Sequence, residues 1–176
     1  MKFTETDLKG AFIIELEPRM DNRGYFARAY DENEFAAHGL ITRFPQANTS
    51  WNERKGTLRG MHYQAEPHGE VKLVRCTKGR LLDVIIDLRP DSPTFKQHIK
   101  VELSQANRKM LYIPVGFAHG YQTLEDSTEA FYMVGEFYTP SAERAVRWND
   151  PAFAIAWPLP DPILSEKDAI VPDFTQ

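Results

Sequence analysis

The sequence lacks the features of an exported or membrane protein. Cys76 is its single cysteine, so no disulfide can form within the chain. Its first ten residues, MKFTETDLKG, already carry several charges, which does not fit a signal peptide. Apolar runs fall short of the roughly 18 to 20 residues that span a bilayer. We therefore expect a cytoplasmic protein with no membrane partner.

A surplus of positive charge is also missing. The net charge is −4 over 176 residues, and the isoelectric point is about 5.7. Neutralisation of phosphates supplies most of the affinity of general nucleic-acid binders. The composition therefore argues against a nucleic-acid partner, while a local basic pocket for a small anion stays possible.

Long helical patterns are absent as well, and short apolar runs separated by polar turns take their place. The runs are EVKLVRC, RLLDVIIDLR, IKVELS, KMLYIPV, YQTL and EAFYMVGEFY, with GFAHG among the intervening turns. This rhythm is typical of antiparallel all-β sandwiches and barrels. One short helix is predicted between Asp31, a capping residue, and Gly39. We expect one domain over residues 1–176, with the proline-rich segment 151–176 packed on it in extended form.

Basic side chains concentrate in LRGMHYQAEPHGEVKLVR, residues 58–75, where strands should be feeding a core. Strict alternation places Arg59 and His62 on opposite faces of a strand, so both reach one cavity only if the strand bulges at Gly60. Lys72 begins a second apolar strand. Each basic residue alone could snorkel at a sheet rim, but the cluster as a whole favours a site.

The passage YIPVGFAHGYQTL has Pro114, Gly116 and His119 in the spacing Pro-x-Gly-x-x-His. It resembles the second motif of the cupin superfamily, which implies a jelly-roll barrel. The first cupin motif begins His-x-His, whereas this chain has His62-x-Gln64. Because glutamine is a poor substitute for an imidazole ligand of a transition metal, we expect a cupin with no metal.

A more specific resemblance covers residues from about 10 to 170. DNRGYF, QANTS, KGTLRGMHYQ, KLVRCTKGRLLDVIIDLRPDSPTF, LYIPVGFAHGYQTL, RWNDPAFAIAWP and LSEKD are similar, in order and spacing, to motifs of the dTDP-4-dehydrorhamnose 3,5-epimerase family. The resemblance implies cofactor-free epimerisation of a nucleotide-linked 4-keto-6-deoxyhexose, in a homodimer with exchanged N-terminal strands.

The same resemblance implies a role for each catalytic candidate. A ketone at C4 acidifies the hydrogens at C3 and C5, so epimerisation needs a base, an acid on the other face and a partner for the enolate oxygen. His62 matches the base, Asp168 the carboxylate behind it, Tyr132 the acid, and Lys72 the enolate partner.

Substrate-binding candidates follow from the resemblance too. Arg23 and Arg59 match diphosphate ligands, since guanidinium suits bidentate contact with phosphate. Phe26 is placed to stack on a base or sugar. The remaining positions that match substrate-binding residues are Gln46, Asn48, His119, Glu143 and Lys167. Arg28 stands where the family commonly has a carboxylate, so the preferred nucleotide stays open.

Three other functions are compatible with the sequence. The first is a monoepimerase acting at C3 or C5 alone, on dTDP or another nucleotide. The second is a metal-dependent cupin enzyme using His62, Glu70 and His119. The third is a sugar-nucleotide-binding module without activity. The downstream pathway and any ketoreductase partner stay undetermined.

Overall fold

Short β-strands make up most of the regular structure in residues 1–175, the part of the chain that the computed structural model describes. The strands are β1 (Lys2–Glu5), β2 (Phe12–Glu15), β3 (Arg19–Asp21), β4 (Gly24–Phe26), β5 (Gln46–Asn52), β6 (Leu58–Gln64), β7 (Lys72–Lys78), β8 (Arg80–Asp87), β9 (His98–Ser104), β10 (Met110–Ile113), β11 (Phe117–Thr123), β12 (Thr128–Val134) and β13 (Glu143–Ala145). The helices are α1 (Glu32–Ala37), α2 (Glu166–Ala169) and a 3-10 turn at Pro140–Ala142. The predicted mostly-β chain with short helices is confirmed.

The strands form three sheets. One has six strands in the order β1-β2-β10-β7-β12-β5, one has five in the order β13-β6-β11-β8-β9, and β3 pairs with β4 in a separate hairpin. The pairings within these sheets are antiparallel, as predicted.

The main core lies between the two large sheets. It joins inward-facing residues such as Val74 and Leu111 of the six-stranded sheet to Ile85 and Leu103 of the five-stranded sheet. Burial of each such side chain contributes about 1.5 to 3 kcal/mol. The facing surfaces therefore explain why these short strands, individually marginal, are stable together.

Both outer sheet faces are also covered. Phe35 of α1 packs with Leu73 and Tyr112 on the outside of the six-stranded sheet. Asp31 caps this helix by accepting hydrogen bonds from two backbone N–H groups of its first turn. On the other side, Phe153 and the chain that follows it pack against the outer face of the five-stranded sheet.

Two predicted boundaries are wrong. The turn expected over GFAHG is confined to its first glycine, since Gly116 has φ +85° and β11 begins at the next residue. The strand expected through Tyr138 ends at Val134. Beyond it, backbone N–H groups of the chain donate to the side chains of Gln46 and Gln64 rather than to a neighbouring strand.

None of the helices in residues 1–175 is long and apolar enough to cross a membrane.

Candidate active site

A cleft lined by side chains of both large sheets lies beside the main core, with which its Tyr121 and Tyr132 also pack. Its first part is a cavity of about 440 Å³ lined by Ser50, Thr57, Leu58, Arg59, His62, Lys72, His119, Tyr121, Tyr132, Ile163, Leu164, Ser165, Lys167 and Asp168. Its second part, of about 340 Å³, is lined by Gln46, Asn48, His62, Tyr63, Gln64, Glu70, Lys72, Tyr132, Val134, Tyr138 and Glu143. His62, Lys72 and Tyr132 line both parts and so stand at their junction.

A bulge in β6 brings two of the basic residues to the same side. Arg59 pairs with Tyr121 and His62 with His119, so β6 takes three steps where β11 takes two. Gly60 occupies the extra position with φ +118°, and a Cβ there would come within 2.6 Å of the Gly120 Cα atom. Only glycine suits this position. Arg59 and His62 consequently face one cleft.

His62 is paired with a carboxylate from the far end of the chain. Its Nε2 lies 2.6 Å from Oδ1 of Asp168, which is 4% exposed. Burial alone would raise the pKa of Asp168, but the hydrogen bond and charge of His62 outweigh burial and lower it. The carboxylate is therefore ionised at neutral pH, where it orients the imidazole and stabilises its protonated form.

The C-terminal segment is anchored where it supplies Asp168. The backbone N–H of Leu58 donates to the carbonyl of Ile163 at 2.9 Å, next to an isolated parallel bridge between Thr57 and Ile163. Ser165 then caps α2, its hydroxyl accepting from the N–H of Asp168 at 3.1 Å. These contacts fix the carboxylate beside β6.

Tyr132 approaches the cleft from the other sheet, on β12. Burial is the main cause that raises the pKa of its phenol. Tyr121 and Glu70 raise this pKa further, and Arg59 lowers it. The phenol is therefore protonated at neutral pH and can act as an acid. The imidazole of His62 and the phenol of Tyr132 thus reach one space from two facing sheets.

Lys72 is buried rather than snorkelling at a rim. Its ammonium donates a hydrogen bond to the carboxylate of Glu70, and the two side chains are 10% and 12% exposed. Sequence reasoning had considered Glu70 only as a possible metal ligand. The structure makes it the ion-pair partner of a candidate catalytic lysine.

His119 forms a second imidazole–carboxylate pair. Its Nε2 lies 3.0 Å from Oδ2 of Asp83, a side chain with no exposed surface. Burial raises the pKa of Asp83, and His119 and then Lys72 oppose that rise. Asp83 was missed from the sequence, although an acidic residue inside the apolar run RLLDVIID was a signal.

The remaining cleft residues hold one another in place. Arg59 donates through Nε to the Asn52 side chain at 2.8 Å and through Nη2 to a backbone carbonyl at 3.1 Å. Lys167 pairs with Glu143 at 2.6 Å, which lowers the pKa of Glu143. Tyr138, also missed from the sequence, donates to the same carboxylate at 2.9 Å.

Tyr121 is a further residue that sequence reasoning overlooked. Its hydroxyl lies 2.9 Å from Ser50 and 3.2 Å from Asn52, so it bridges β11 to β5 across the cleft. Period-two alternation from His119 along β11 was a signal for it.

Three sequence-predicted residues lie elsewhere in the chain. Arg23, on the β3–β4 hairpin, pairs with Asp21 at 2.6 Å, and its side chain is 85% exposed. Phe26 and Arg28 line a separate surface cavity next to Met1. The fold of the single chain does not bring them to the cleft that contains His62.

Residues 1–175, the part of the chain described, contain no group of three or more His, Cys, Asp or Glu side chains that could hold a metal ion. His62, His119 and Glu70 therefore do not form such a group. The two histidines are instead each engaged by a different carboxylate, Asp168 and Asp83.

The fold and cleft describe a class of protein: a β-sandwich whose cleft gathers titratable side chains from both large sheets. Comparison with known proteins narrows the class. Residues 5–176 match the family model described as dTDP-4-dehydrorhamnose 3,5-epimerase, so the chain belongs to that family and is a carbohydrate epimerase.

Individual relatives support the same assignment. A dTDP-4-dehydrorhamnose 3,5-epimerase of Methanothermobacter thermautotrophicus is 44% identical over 171 residues, covering 95% of this chain and 91% of the relative. The Bacillus anthracis enzyme, solved with TDP and PPi bound, superposes with a TM-score of 0.96 at 41% identity, covering 98% and 99% of the two chains. An epimerase of Legionella pneumophila in complex with dTDP-4-keto-L-rhamnose gives a TM-score of 0.91 at 37% identity, covering 97% and 90%.

Proposed function

We propose that the protein epimerises C3, C5 or both in a dTDP-linked 4-keto-6-deoxyhexose, without a cofactor. The observation that carries the proposal is the His62–Asp168 pair, at 2.6 Å, which shares a cleft with Tyr132 from the opposite sheet. Family membership and the dTDP-sugar bound to a relative support this substrate class.

The reaction is a pair of proton transfers at carbon. Neutral His62 takes the proton from C3 or C5, and the electron pair moves into the ketone to give an enolate. Lys72 donates a hydrogen bond to the enolate oxygen. A donor of this kind typically stabilises the transition state by about 3 to 4 kcal/mol. Tyr132 returns a proton to the opposite face of the same carbon. Solvent then removes the proton from His62 and restores the phenol.

The rest of the cleft binds the nucleotide and the sugar hydroxyls. Arg59, fixed by Asn52, is suited to a diphosphate oxygen because guanidinium presents paired donors. The residues assigned to further substrate contacts are Gln46, Asn48, His119, Glu143 and Lys167, all of which line the cleft.

A homodimer would complete the site. The β3–β4 hairpin exposes Met20 and Phe26, by 70% and 66%, and places Arg23 and Arg28 away from the cleft of their own protomer. Exchange of this segment between the two chains of a dimer would place the hairpin residues at the nucleotide end of the partner's cleft. We further propose that residues 1–176 are a single jelly-roll domain of the cupin type, with segment 151–176 as its outer cover.

Deuterium exchange tests the function. The protein is incubated in D2O with dTDP-4-keto-6-deoxyglucose, and NMR follows the signals at C3 and C5. Exchange at both carbons is expected for a 3,5-epimerase, and exchange at one carbon alone identifies a monoepimerase. His62→Asn should abolish exchange, whereas His98→Asn, on β9 outside the cleft, should leave it intact. A nucleotide-dependent rise in melting temperature without exchange would contradict the proposal and favour a binding module.

A further inference from the structure

Glu70 is a largely buried carboxylate in the cleft that the mechanism above does not use. It lies just ahead of β7 and lines the cleft together with His62 and Tyr132. Its carboxylate accepts a hydrogen bond from the ammonium of Lys72, and both side chains are nearly nine-tenths buried. A charged group in this position affects every charge that forms during the reaction.

Two carboxyl groups are near the Lys72 ammonium. Glu70 contacts it directly, and Asp83 is near enough for Lys72 to influence the pKa of that carboxyl. Asp83, however, is already engaged by His119. Glu70 is therefore the partner that offsets the desolvation of the ammonium and restricts its flexible four-carbon stem.

We propose that Glu70 is a positioning residue that holds the Lys72 ammonium at the carbonyl end of the sugar. As the ketone becomes an enolate, its oxygen becomes a stronger acceptor, and Lys72 donates a second N–H to that oxygen while Glu70 keeps the first. The inference rests on the proposed function. Because the second hydrogen bond strengthens as the charge develops, loss of the Glu70 contact that aims the ammonium affects kcat more than KM.

Glu70 also acts on the acid of the reaction. The pKa of Tyr132 is raised mainly by burial, then by Tyr121 and then by Glu70, whereas Arg59 lowers it. The charged and titratable groups that line the cleft with this phenol are Arg59, His62 and Tyr63 on β6, Glu70 and Lys72 at β7, His119 and Tyr121 on β11, Tyr138 ahead of β13 and Glu143 on it, and Lys167 and Asp168 in α2. Removal of the Glu70 charge should therefore move the alkaline limb of the kcat/KM profile to lower pH.

Glu70→Gln tests the inference, because it keeps the shape and one acceptor and removes the charge. We expect kcat to fall about 10- to 100-fold with KM changed less than about threefold, the loss typical of a mispositioned group. Glu70→Asp, which keeps the charge, should recover part of the activity. The control is Glu129→Gln on β12, a carboxylate bonded to Thr77 and absent from the cleft lining, which should retain wild-type kcat.

A double-mutant cycle separates action through Lys72 from independent action. In a Lys72→Met background, adding Glu70→Gln should change kcat by less than about threefold, because the partner is already gone. Multiplication of the two single losses would overturn the inference, as would wild-type kcat and pH profile in Glu70→Gln. If the wild-type protein exchanged no deuterium at C3 or C5, the proposed function would fall first and the role of Glu70 with it.

Discussion

Replacing Asp168 by Asn gives the most direct measure of the His62–Asp168 pair. The substitution keeps the size of the side chain and removes the charge that faces the imidazolium formed during the reaction. Unit charges about 4 Å apart interact by about 4 kcal/mol at an effective dielectric constant of about 20. Since about 1.36 kcal/mol corresponds to a tenfold change in rate, the full interaction is worth about 1000-fold.

Solvent reduces that figure, because the His62 side chain is 34% exposed although Asp168 is buried. We therefore expect Asp168→Asn to lower kcat by about 100- to 1000-fold, with KM nearly unchanged. The assay is the initial rate of deuterium incorporation under substrate saturation. Asp91→Asn, an exposed carboxylate that lines a different surface cavity, is the matched control. A loss of less than tenfold in folded Asp168→Asn would refute the assignment of the dyad to base catalysis.

Two further predictions concern the scaffold. Gly60→Ala should lower the free energy of unfolding by about 2 to 4 kcal/mol, as measured by denaturant titration, because the new Cβ would meet the Gly120 backbone and φ is +118°. The control is Gly39→Ala, which should lower the free energy of unfolding by only about 1 kcal/mol, because φ is +69° but a Cβ there has nothing within 4 Å. Burial alone would raise the pKa of Asp87, but hydrogen bonds from Arg89 and two hydroxyl groups outweigh it and lower that pKa. A lowered folded-state pKa stabilises the protein above the unfolded pKa of about 3.9, and this contribution is lost on acidification. Thermal melts of Asp87→Asn should therefore show a deficit at pH 7 that narrows below about pH 4, and a deficit independent of pH would contradict this explanation.

The sequence pattern predicts the strands well because burial on alternate positions leaves a local signal. The runs that contain Lys72, Leu81, Val101 and Met110 all correspond to strands. Strand ends are harder to predict. Tyr138 continues an apolar run, yet its backbone N–H donates to the side chain of Gln46, a partner more than ninety positions away in sequence.

The residues of the cleft also differ in how far sequence patterns predict them. Residue types and spacing, together with the family resemblance, select His62, Tyr132 and Lys72 as candidates. The partners of these groups depend on sheet register and on loop paths, which leave no local pattern. Glu70 and Asp83 were missed as ion-pair partners for this reason, and the distance of Arg23, Phe26 and Arg28 from the His62 cleft left no local pattern either.

The bulge at Gly60 connects the fold to the chemistry. In a regular strand, Arg59 and His62 would point to opposite faces, and one of them would enter the core around Met61 on the outer side of the sheet. One additional residue in β6 turns both toward the cleft while Met61 keeps its core position. A single strand thus carries the proposed phosphate ligand and the proposed base a few residues apart, which matches the short distance between the diphosphate and the reacting ring of a nucleotide sugar. The positive φ that Gly60 allows therefore determines whether Arg59 and His62 can contact the two ends of one substrate in the same cleft.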